Sequence, residues 1–158
     1  MTTPATSTAP TLERLRGQLL GHGFTELALD TLGDDIAAAA SAAAASAAEM
    51  LVVLPLDNPA QRPEFFDLTV VLPEIVRQFG PDTFRVAFAC PPDSMAIAKR
   101  FGVLRHPALI FLREGRYVGA IEGLRDWADY LQSFVRMRAE APQPIPIPIP
   151  LSVSGARS

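Results

Sequence analysis

The run Met50-Leu51-Val52-Val53-Leu54-Pro55-Leu56 has no polar residue at any position. A strand with one wet face alternates apolar and polar side chains. A strand without alternation is buried on both faces, at the centre of a sheet that other elements cover above and below. The chain must therefore supply two covering layers for this one strand, and the rest of the sequence can be read for them.

Leu68, Val71, Leu72, Ile75, Val76 and Phe79 recur at helical spacing, and Gly80-Pro81 closes the pattern, so a helix is expected soon after the strand. Phe84 to Cys90 reads as a second strand ended by Pro91-Pro92. Asp93 or Ser94 is placed to cap a short helix that runs through Phe101 and stops at Gly102. Ala108 to Leu112 and Tyr117 to Ile121 form a hairpin about Glu114-Gly115. After Gly123 a last helix is expected, with Leu124, Trp127, Leu131, Phe134 and Val135 on its core face. The order strand, helix, strand, helix, strand, strand, helix describes an α/β domain with a central mixed sheet flanked by helices. Ahead of it, Leu12, Leu15, Leu19 and Leu20 mark a helix stopped by Gly21 and Gly23, and Phe24 to Leu29 a short strand. Thr31 and Asp34 have the spacing of a helix-capping pair.

Residues 11–138 are read as one domain between dissimilar ends. Residues 1–10, rich in Thr, Pro and Ala, are expected to be a disordered lead-in. Within the domain, Ile36 to Ala48 holds ten alanines and two serines in thirteen positions. Propensity makes that tract a helix, while its small side chains bury so little that a frayed helix or flexible insertion is the alternative. Residues 139–158 form a Pro-rich tail in which Pro142, Pro144, Pro146, Pro148 and Pro150 alternate with Gln143 and three isoleucines. Alternate prolines enforce an extended, polyproline-like rod, either a semi-rigid spacer or a docking peptide.

Composition removes several classes of function. A net charge of −3 argues against nucleic acid as a partner, which usually needs a basic face. The charge is uneven: residues 1–60 carry two basic and seven acidic side chains, and the remainder twelve and ten. No apolar run approaches the ~18 residues of a membrane span, and the first residues lack a basic, then apolar, secretory signal. A soluble cytoplasmic domain without membrane insertion is expected. Cys90 is the one cysteine, so neither an intramolecular disulfide nor a cysteine zinc site can form. His22 and His106 are far apart with no ligand pattern around them, and no metal or cofactor is expected. Cys90, at the end of a core strand, reads as a small buried hydrophobe. A single reactive thiol is the alternative reading, though without a resolving partner in the chain.

The polar residues worth weighing gather in two places. The loop and helix start after the first core strand read Asp57-Asn58-Pro59-Ala60-Gln61-Arg62-Pro63-Glu64-Phe65-Phe66-Asp67. Asp57, Glu64 and Asp67 can accept a guanidinium in bidentate fashion, or simply solubilise the loop. Asn58 belongs to the same loop. Phe65 and Phe66 offer apolar anchors, at least one of them packing into the core. The second place is His106-Pro107, just before the hairpin, where either proline isomer is open. Gly115, Gly119 and Gly123 are spaced as turn residues and make no phosphate-binding loop.

From Met50 to Met137 the chain resembles a thioredoxin without its dithiol. A thioredoxin carries two cysteines, two residues apart, in the loop that here reads Asp57 to Asp67, and a cis-proline where this chain has His106-Pro107. Phe79-Gly80-Pro81, Phe84 to Ala89, Ala98 to Val103, Arg105 to Ala108, Gly115 to Gly119, Glu122-Gly123 and Trp127-Ala128 are similar to the thioredoxin-like accessory proteins of NiFe-hydrogenase maturation, the HyaE/HupG type. That resemblance implies a thioredoxin-like fold lacking the CxxC motif and a non-catalytic cytoplasmic chaperone. Its implied partner is the hydrogenase small-subunit precursor, through its twin-arginine signal peptide or its iron–sulfur domain, along with other hydrogenase accessory proteins. The implied peptide-binding residues are Asp57, Asn58, Glu64, Phe65, Phe66, Asp67, His106 and Pro107. A single-thiol redox protein acting through Cys90, or a scaffold docking through the tail, are the competing functions.

Overall fold

The structure, a computed structural model, describes residues 11–27, 50–80, 82–114 and 116–145. The lead-in, the Thr31/Asp34 pair, the alanine tract Ile36 to Ala48 and the tail beyond Ile145 lie outside the described residues.

The described elements follow the order α1 (Leu12–Gly21), β1 (Thr25–Glu26), β2 (Met50–Pro55), α2 (Glu64–Gln78), β3 (Phe84–Ala89), α3 (Asp93–Arg100), β4 (Ala108–Arg113), β5 (Arg116–Glu122) and α4 (Trp127–Ala139). The five strands form one sheet in the order β1-β3-β2-β4-β5. β1 and β2 pair parallel with β3, while β4 runs antiparallel to both β2 and β5. This is the thioredoxin-like arrangement. The strand without alternation is indeed central: all six residues of β2 are buried, with Val53 opposite Ala87 on one side and Ile110 on the other.

Two apolar layers cover the sheet. Leu15 and Leu19 of α1, Phe65, Leu68, Leu72 and Ile75 of α2, and Tyr130, Phe134 and Met137 of α4 pack on one face with Val52, Leu54, Phe84 and Phe111. Phe134 centres an aromatic group, with its ring edge-on to Phe84 at 5.0 Å and to Phe111 at 4.9 Å. Such edge-to-face pairs fix ring positions as well as bury area. On the other face Ile97 and Ala98 of α3, with Phe101 just after it, pack over Leu51, Val53, Ala87 and Ile110.

Capping follows the sequence in part. Thr11 caps α1, its Oγ1 accepting from Arg14 N at 3.1 Å, and Asp126 caps α4 by accepting from Asp129 N at 2.8 Å. In α3 the cap position falls on Pro92, with no side-chain capping bond; Asp93 opens the first turn and Ser94 is fully buried. Among the described residues the expected strand after α1 covers Thr25–Glu26, extended by the bond from Leu27 N to Phe88 O, and residues 28 and 29 lie outside the described residues.

The last helix departs from the expected phase. Tyr130, Ser133, Phe134 and Met137 are its buried residues, while Trp127 is 42% and Val135 56% exposed, and Leu124 is exposed just ahead of the helix. At about 100° per residue the observed stripe is rotated away from Val135, while Phe134 is buried as expected and Leu131 packs half-buried against the core. Trp127 sits at the helix start, where packing from one side is missing. Gly119 admits the rotation: a Cβ there would lie 2.7 Å from Met137 Sδ. The flexible thioether end of Met137 thus passes close over this glycine in the interior of β5.

Candidate functional site

The C-terminal end of β2, the start of α2 and the segment before β4 come together, and they carry the two places singled out in the sequence. The loop after β2 is closed on itself. Asp57 Oδ1 accepts from Asn58 N at 2.7 Å and its Oδ2 accepts from Arg62 Nε at 3.0 Å. Asn58 Oδ1 accepts from Ala60 N at 3.0 Å, and Asn58 O accepts from Gln61 N and Arg62 N. Both Asp57 oxygens are therefore engaged inside the loop, each by one hydrogen bond. An exposed pair such as Asp57–Arg62 contributes at most about 1 kcal/mol, so its effect is on geometry and charge.

Glu64 and Asp67 stand exposed in the first turn of α2, where the helix dipole favours acids. Phe65 is fully buried and belongs to the core. Phe66 is half-buried and packs against that core. The structure thus separates two neighbours that the sequence could not, because helical phase turns Phe65 inward and Phe66 toward the rim.

The opposing segment is held from a different strand. Glu122, at the end of β5, accepts from Leu104 N at 3.1 Å and from Arg105 N at 3.0 Å through one carboxylate oxygen. Gly123 N donates to Pro107 O at 2.8 Å, and the Arg125 guanidinium donates to Glu122 O. The His106–Pro107 peptide is cis. Glu122 was visible in the sequence only as part of a similar stretch, because its partners lie 17 and 18 residues earlier.

His106 links the two sides. It is half-buried, and its Nδ1 is buried without a hydrogen-bond partner among the described residues. Burial holds its imidazole below the usual histidine range, and the Arg62 charge pushes the same way, against the smaller pull of Asp57 and Glu122. The neutral form therefore dominates at pH 7. Beside it opens a groove of about 400 Å³, lined by Met95, Ala98 and Lys99 of α3, by Gly102, Val103 and Leu104, and by His106 itself. Leu104 stands 74% exposed at its margin. Leu104, Met95 and Val103 were missed as site residues because nothing local distinguishes them from core positions.

Among the described residues, Cys90 lies apart from the residues that line the groove beside His106. Cys90 is half-buried at the end of β3, and its thiol is pushed up to about 12 by burial first and then by the charge and hydrogen bond of Glu26. Glu26 is paired in turn with Arg16 at 2.8 Å. Such a thiol holds almost no thiolate at neutral pH. Among the described residues no group of three His, Cys, Asp or Glu side chains could hold a metal, and no helix is long and apolar enough to cross a membrane. The arrangement is suited to holding an extended segment against a groove.

Known proteins give a consistent comparison. Residues 16–130 match the family model described as hydrogenase-1 expression protein HyaE. The hydrogenase expression/formation protein HupG of Bradyrhizobium diazoefficiens is 34% identical over 119 residues, which cover 75% of this chain and 76% of that protein. The hydrogenase expression/formation protein HoxO of Cupriavidus necator is 42% identical over 84 residues, 52% of each chain, so the match spans about half of that relative. Among solved structures, a hydrogenase expression/formation protein hupG from Rhodopseudomonas palustris aligns over 73% of this chain and 95% of its own, at 29% identity and a TM-score of 0.44.

Proposed function

The chain belongs to the HyaE family of hydrogenase-1 expression proteins, and from that premise we propose that it is a non-catalytic chaperone of NiFe-hydrogenase maturation in the cytoplasm. Its partner in this reading is the iron–sulfur small-subunit precursor, held through an extended segment such as the twin-arginine signal peptide before export. Other hydrogenase accessory proteins are further partners at the same stage.

One observation supports the reading: a groove between α3 and the segment before β4 runs up to His106, with exposed Leu104 at its margin, and the Arg62 and Asp57 charges of the loop after β2 act on the same imidazole. An extended peptide can lay apolar side chains into such a groove and find polar partners at its rim. The contact set is Leu104, His106, Pro107 and Phe66, with Glu64 and Asp67 available to a basic peptide. Asp57 and Asn58 shape the loop, and Phe65 supports it from the core. The raised thiol of Cys90 speaks against the single-thiol redox alternative.

Isothermal titration of the small-subunit precursor, with and without its export signal, tests this. Binding should weaken at least tenfold when the signal is removed, and also when Leu104→Asp places a charge on the groove margin. Equal affinity for both precursor forms would remove the signal peptide from the reading, and no binding to either form would overturn it.

A further inference from the structure

The last described residues do not trail away from the domain. β5 is the outermost strand on its side of the sheet, and the chain returns across its open margin after α4. Gln143 N donates to Tyr117 O at 2.8 Å, and the Gln143 side-chain amide donates to Val118 O at 2.6 Å. Successive carbonyls of a regular strand point to opposite sides, so two neighbours facing one residue requires an irregularity. The pairing of β4 with β5 shifts register between Phe111 and Leu112, opposite Gly119 and Tyr117, which leaves Val118 as the extra residue of a bulge.

The crossing is anchored on both sides. The Arg113 guanidinium donates to Arg138 O at 2.7 Å and Glu140 O at 3.0 Å, satisfying carbonyls at the end of α4. Beyond the margin Ile145 packs, half-buried, against the cluster under α3, on the opposite face of the sheet from α4. Gly119 lies beneath the crossing, where a Cβ would meet Met137 and approach the Gln143 amide nitrogen to 4.0 Å. A cleft of about 260 Å³ remains beside the strap, between β5 and the end of α4.

The sequence adds a second, independent constraint. An extended chain points successive N–H groups to opposite sides, and proline has none. Pro142 and Pro144 have no N–H, and the N–H of Gln143 between them is spent on Tyr117 O. This stretch therefore bonds to one sheet edge and has no backbone donor left for a further strand, which is the property of an edge terminator.

We propose that the margin of β5 is a docking surface for an extended peptide with alternating prolines, and that the segment 142–145 is its resident occupant. This segment blocks strand addition by other chains at that margin. This stands apart from the groove beside His106 and survives the failure of that reading.

Full-length Gln143→Pro/Ile145→Asp removes the backbone donor and the apolar anchor while leaving every strand and helix residue in place. The probe is a labelled synthetic peptide of residues 141–150, titrated onto this variant and onto the wild type by fluorescence anisotropy, with light scattering for mass. The variant should bind the peptide at least tenfold more tightly than the wild type, whose own tail competes. A variant that self-associates and is dispersed by the peptide equally supports a strand-docking margin. Gln143→Ala, which loses only the amide bond to Val118, should fall between the two and serves if the double variant does not fold. A folded variant that stays monomeric and ignores the peptide at millimolar concentration would overturn the proposal. So would a wild type that binds the peptide as tightly as the variants do.

Discussion

The two segments that meet at His106 are held in opposite ways. The loop after β2 is tied by its own short-range bonds, Asp57 to Asn58 and Arg62, and Asn58 to Ala60. The segment before β4 has its amides satisfied from elsewhere, by Glu122 at the end of β5. A loop that satisfies itself keeps its shape and its charge internal, so it has little left to offer a ligand. A segment braced from outside can present its side chains freely, and Leu104 is the result. In a thioredoxin the first position carries the chemistry. Here the first position has no cysteine, and the second holds His106 and the exposed Leu104.

Three measurements can break or sharpen that contrast. The largest effect is expected at Phe65, a fully buried residue of the first region. Phe65→Ala should cost about 3–5 kcal/mol in chemical denaturation while leaving the affinity of the folded fraction for its partner unchanged. A large loss of affinity without loss of stability would return Phe65 to the contact surface. Next comes Glu122→Ala, which strips the acceptor from two backbone amides at an exposed site. Stability should fall by about 1 kcal/mol, with faster hydrogen exchange confined to Leu104 and Arg105. Unchanged exchange there would mean that the second segment is braced by something else.

The smallest effect concerns pH. A histidine held below its usual range is protonated more readily in the unfolded chain than in the native one. Stability should therefore fall as pH drops through about 6.5, the unfolded value, toward the lower native value, and be complete above it. His106→Gln should flatten that limb of a urea-midpoint profile. An identical slope in the variant would assign the dependence to other groups.

Much of the scaffold was legible because it depends on near neighbours. The unbroken apolar run of β2 states its burial outright, and the stripe Leu68, Leu72, Ile75 places α2 without knowledge of what it covers. The last helix was harder. Leu131 and Val135 are apolar enough to suggest a core face, and the actual face includes Tyr130, Ser133 and Met137. Which stripe wins depends on the sheet and helix residues that α4 packs against, and no window of α4 contains that information. The candidate site divides in the same way. The loop from Asp57 to Asp67 and the pair His106-Pro107 were recognisable, but Phe65 and Phe66 differ only in helical phase, and Leu104 becomes notable only when Glu122 braces its amide.

By itself the sequence determined a central doubly buried strand, the alternation of elements around it, the absence of a dithiol and the alternation of prolines in the tail. Each is a property of local spacing or residue type, and each survives without knowing what lies across the sheet. Only the tertiary structure decided that Asp57 is neutralised by Arg62, that Glu122 holds the segment ahead of β4, and that Gln143 crosses the margin of β5. Those are contacts between groups brought together by folding. Their energies depend on distance, burial and the direction of a single lone pair, quantities that exist only once the chain has closed on itself.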